Sequence, residues 1–98
     1  MYFINLREMQ PARYHPPVKR SVQIAGHKTS ISLEPLFWDM LKEAAATDGL
    51  PINAVVARID AERIKSETPP GLASAVRIWL VARRFGANSI MNGDNTKI

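Results

Sequence analysis

Between His27 and Pro35 the chain reads "HKTSISLEP", and this short alternation limits the possible folds more than any other feature. Thr29, Ile31 and Leu33 fall on one side, Lys28, Ser30 and Ser32 on the other. That is the period-two pattern of a half-buried strand. Nearly everything after it reads as helix. A lone strand leaves its backbone groups unpaired, and a two-stranded hairpin by itself is marginal. The chain must find this strand a partner and cover its apolar side with helices.

The helices are well punctuated. Pro35 suits the first position of a helix over residues 35–48, because its missing N–H needs no partner there. Leu36, Phe37, Met40, Leu41, Ala44 and Ala45 make one apolar face, with Asp39, Lys42, Glu43 and Ala46 opposite. Gly49 is placed for a left-handed cap. A second helix opens at "LPIN" and buries Ile52, Val55, Val56 and Ile59. "SETPPG" breaks the chain. A third helix runs from Leu72 to about Phe85. Its apolar residues (Leu72, Val76, Ile78, Trp79, Leu80, Val81, Phe85) spread round most of its circumference, as in a helix enclosed by other elements or chains. Gly86 can cap it.

Upstream, "KRSVQIAG" has Val22 and Ile24 on even positions, whereas Ile31 and Leu33 are odd. The parity changes around residues 25–27, which predicts a turn or bulge at Gly26. Two partners are therefore open to strand 28–33. One is a hairpin with Gly26-His27 as its loop, in which Ile24 opposes Thr29 and Val22 opposes Ile31, so that apolar residues share a face. The other is the same strand of a second copy, paired about a two-fold axis through the open edge. The two are compatible, since a strand has two edges.

The charge is unevenly placed. Residues 1–33 hold five basic residues against one acidic, and residues 34–98 hold eight against eight, so the whole net +4 lies on the leader and the strand. This points to an anionic partner, with nucleic acid ahead of membrane. The absence of cysteine excludes disulfides, zinc–cysteine sites and thiol catalysis. No apolar run reaches a membrane-spanning length, and the N-terminus has no signal-peptide layout. A cytoplasmic protein is expected. His15 and His27 have no acidic pair at helix spacing, and no phosphate-binding glycine loop occurs. Neither an enzyme nor a cofactor or metal site is expected. The organisation read is a basic arm over 1–18, a core over 19–66, a linker and third helix over 67–86, and a disordered tail over 87–98.

The segment "TSISLEPLFWDMLKEAAATDGLPINAVVARID" resembles the ribbon-helix-helix DNA-binding family, to which the Arc and MetJ repressors belong. The longer string "KRSVQIAGHKTSISLEPLFW" is similar to a small bacterial subfamily of it. The resemblance covers residues 19–64 well and 71–81 more weakly, through "GLASAVRIWLV". It implies a mainly helical, intertwined homodimer with a short β-ribbon, here with an extra C-terminal helix. It also implies that Lys28, Ser30 and Ser32 contact bases in the major groove, where lysine donates to guanine and serine donates or accepts. The start of the second helix, at Ile52 and Asn53, would hold a DNA phosphate through backbone N–H groups. Pro51 departs from the serine or threonine common there, and supplies neither an N–H nor a capping hydroxyl. Lys19 and Arg20 are further phosphate candidates, with Arg7 and Arg13 on the arm.

The expected function is that of a transcriptional regulator binding a palindromic double-stranded DNA site, as a homodimer or a higher assembly on DNA. The rival is a protein-interaction or antitoxin-like module whose third helix clasps a partner protein. Trp38, Trp79 and Phe85 are read as core or dimer contacts rather than nucleobase platforms.

Overall fold

A computed structural model describes residues 14–86. The arm through residue 13, with Arg7 and Arg13, and the tail from residue 87 lie outside the described residues. Two strands, β1 (Val18–Ile24) and β2 (His27–Leu33), form an antiparallel hairpin. Three helices follow: α1 (Pro35–Asp48), α2 (Ile52–Arg63) and α3 (Leu72–Arg84).

The hairpin turns one step earlier than the sequence suggests. Its loop is Ala25-Gly26, with Ile24 opposite His27, Val22 opposite Thr29 and Arg20 opposite Ile31. Ala25 and Gly26 both take positive φ, 50° and 83°. That pair of angles defines the type I′ loop, whose twist matches that of the flanking strands. The register differs from a Gly26-His27 loop by two residues, so every side chain keeps its face. Val22, Ile31 and Leu33 are buried on the inner face as expected.

The helices close a core beneath that face. Leu33, Leu41, Val55, Val56, Val76 and Leu80 are its most deeply buried members. α1 starts and stops where proline and glycine predict, with Gly49 at φ 67° taking the left-handed cap. Its buried face is turned, however: Trp38 is buried, while Leu36 is half exposed. The Trp38 indole N–H donates to the Val18 carbonyl at 2.9 Å, so β1 draws this ring inward, where its donor has an acceptor.

α3 completes the core with Ala75, Val76 and Leu80 and is fastened to the rest by arginines. Arg77 donates to Glu34 at 3.0 Å and to the Ser32 carbonyl at 3.3 Å. Arg83 grips Asp48 with two hydrogen bonds, at 2.8 and 3.2 Å, and Arg84 lies 3.7 Å from Glu43. The Arg83 bonds hold the Asp48 carboxyl below its ordinary pKa and raise that of Arg83. Glu34 is likewise lowered, first by a backbone N–H bond and then by Arg77.

Candidate nucleic-acid interface

The register assigns every strand residue to a face. Lys19, Ser21 and Gln23 stand opposite Ser32, Ser30 and Lys28 respectively. These six make the outer face of the hairpin, and all but the partly covered Ser32 are exposed. The face holds two lysines, three serines and a glutamine, with no acidic and no apolar side chain. Such short donors and acceptors, flanked by positive charge, suit base edges and phosphates together. Lys28, Ser30 and Ser32 are thus brought together on one surface, as the alternation requires. Ser21 and Gln23 join them there, though the sequence does not single them out. Their signal is the odd-position alternation of Lys19, Ser21 and Gln23, which gains meaning only once β1 is paired with β2.

The phosphate candidates separate. Lys19 is on the outer face. Arg20 has the opposite parity, and its guanidinium lies 5.4 Å from the Trp38 ring centroid, over the start of α1. This cation–π stacking holds Arg20 at the flank of the hairpin instead of on its polar surface. Asn53 has a structural partner: its side-chain carbonyl accepts the Gln23 backbone N–H at 3.0 Å. That bond seats the start of α2 against the outer edge of β1. Ala54 and Val55 N–H groups both reach the Pro51 carbonyl, and those of Ile52 and Asn53 precede these first helical bonds. They stand at the positive end of the helix dipole, beside the polar face.

The backbone edges follow from the same register. A two-residue loop makes Ile24 and His27 a hydrogen-bonded pair. Outward N–H and C=O groups on β2 then belong to Lys28, Ser30 and Ser32, and on β1 to Lys19, Ser21 and Gln23. Asn53 occupies the Gln23 N–H, and Arg77 takes one of the two acceptor positions of the Ser32 carbonyl. The β2 edge at Lys28 and Ser30 is open within one chain. The pairing expected between copies concerns that edge; its other edge is taken by β1.

Among the described residues no group of three or more His, Asp or Glu could hold a metal ion. His27 is exposed at the loop end, and the His15 ring contacts the Pro16 carbonyl at 2.8 Å. No helix among the described residues is long and apolar enough to cross a membrane.

The ribbon-helix-helix domain family matches residues 17–83. That span takes in the hairpin, α1, α2 and nearly all of α3. Among curated proteins, none matches. A solved structure, that of an uncharacterized protein from Bordetella pertussis Tohama I, is similar with a TM-score of 0.64 and 28% identity. The likeness covers 99% of this chain and 78% of that one.

Proposed function

Since this chain belongs to the ribbon-helix-helix domain family, whose roles are DNA-binding or related regulatory ones, we propose that it is a sequence-specific DNA-binding regulator of transcription. It binds a palindromic site as a homodimer and represses by occupying it. The observation that carries this reading is the outer face of the hairpin. Six polar residues, none of them acidic, share one surface there, and the N-terminus of α2 flanks it. The two-fold axis passes beside Ser30 of β2. Centred there, Lys28 of one copy faces Ser32 of the other, whereas a centre at Lys28 would set like charges opposite each other. Lys28, Ser30 and Ser32 of both copies then lie at the middle of the ribbon and read bases. Lys19 and the N–H groups of Ile52 and Asn53 hold phosphates at its flanks.

The second reading, a module that binds a partner protein through α3, is favoured by one observation: Ile78, Val81 and Phe85 are exposed along that helix and at its end. Selection of bound sequences from a random pool of DNA duplexes separates the two. An enriched inverted repeat, bound by an even number of chains, supports the regulator. A stable dimer that enriches no site removes sequence-specific DNA reading and leaves the partner-protein module.

A further inference from the structure

α3 contains no acidic residue, and all three of its arginines are engaged on its own chain, with Glu34, Asp48 and Glu43. Beside the exposed Arg84–Glu43 pair, it leaves a mostly apolar strip outward. Ser74, Ile78, Val81 and Phe85 are exposed, the last three at 60%, 40% and 69%. Their spacing is four, three and four. At ~100° per residue they fall within roughly 60° of arc, a narrow seam of the kind that packs against another helix. Ser74 is the one polar member, and its side chain is small. The seam is also self-complementary. Run antiparallel to itself about its midpoint, it sets Ser74 against Phe85 of the second copy and Ile78 against Val81. Each larger side chain meets a smaller one, the alternation that lets facing layers interdigitate.

Its position matters as much. Arg77, one residue before Ile78, bonds the Ser32 carbonyl on the outer edge of β2. Asn53 makes the matching connection between α2 and the outer edge of β1. α3 therefore lies beside the open strand edge and α2 beside the occupied one. A two-fold axis at β2 would set the two α3 helices on the same side of the ribbon.

We propose that the Ser74–Ile78–Val81–Phe85 seam of α3 pairs antiparallel with the same seam of a second copy, making the helical half of a dimer interface whose other half is the open edge of β2. The placement of the axis rests on the two-fold reading given above. The occupant is a second copy because one symmetry operation satisfies both the strand edge and the seam, and because the seam's residue sizes match their own reverse.

The test is sedimentation equilibrium of the full chain across a wide concentration range, with helicity and melting followed in parallel. The I78K/V81K variant should stay folded, since both positions are exposed in one chain. Its dimer dissociation constant should rise about 100-fold, because two charges per copy are left unpaired in a seam that holds no carboxylate. Ser74→Phe should weaken association by opposing two large rings, and S74F/F85S should restore it. An undiminished I78K/V81K dimer overturns the proposal, as does failure of the size swap to rescue. A wild-type monomer that dimerises only when residues 1–13 or 87–98 are deleted overturns it too, since a segment of the chain itself is then the occupant. A seam-dependent dimer that selects no DNA site supports this interface and removes the DNA reading.

Discussion

Lys28 carries a cation to the loop end of the outer face, opposite Gln23 and with no carboxylate in its own strand pair. In a base-reading role, Lys28→Ala costs about 1–3 kcal/mol at one base position and relaxes preference there. Binding measured on the selected site and on single-base variants of it checks this. A uniform weakening on scrambled DNA would make Lys28 a phosphate contact. The side of the hairpin on which Lys28, Ser30 and Ser32 lie is legible in the sequence, because period two and one buried face determine it. The partners of Asn53 and Arg20 are not. Asn53 meets Gln23 across thirty residues of chain, and Arg20 stacks on a ring eighteen residues away. Local pattern holds no information about contacts at that separation. The loop register is only partly legible: Gly26 announces a turn, but nothing marks Ala25 as the residue that shares its positive φ.

At the scale of elements, punctuation is more informative than amphipathic shape. Pro35 and Gly49 bound α1 at the residues expected, and "SETPPG" separates α2 from α3. The apolar stripe of α1 is narrower than its sequence suggests, since Leu36, Phe37 and Trp38 are consecutive and periodicity cannot decide which of them turns inward. The indole bond to Val18 decides it. Two leucines should therefore differ sharply on truncation. Leu41→Ala, at a fully buried site, costs about 2–5 kcal/mol. Leu36→Ala, at a half-exposed one, stays within roughly 0.5 kcal/mol. Denaturant midpoints of the two variants make the comparison, and equal destabilisation would place Leu36 in a contact that one chain does not contain. The breadth of apolar residues round α3 signals packing on two sides. The sequence alone cannot divide them, and the fold does: Val76 and Leu80 face inward, Ile78, Val81 and Phe85 outward.

The whole molecule places its net +4 on residues 1–33, while residues 34–98 hold eight basic and eight acidic residues. DNA affinity should accordingly fall linearly on a logarithmic salt axis, with a slope near −0.9 per phosphate neutralised. Titrations at several salt concentrations, repeated with Lys19→Ala, should show the slope shrink by about 1 in the variant if Lys19 neutralises one phosphate. A flat response would remove the electrostatic half of the mechanism. A larger consequence follows from the core, which β1 and α3 close inside one chain. If the proposed dimer assembles from chains that already hold this core, association is a step separate from folding. In that case, at low abundance the number of proposed dimers grows with the square of the number of chains. A gene under the proposed dimer's control would then answer to the regulator's supply more steeply than in proportion.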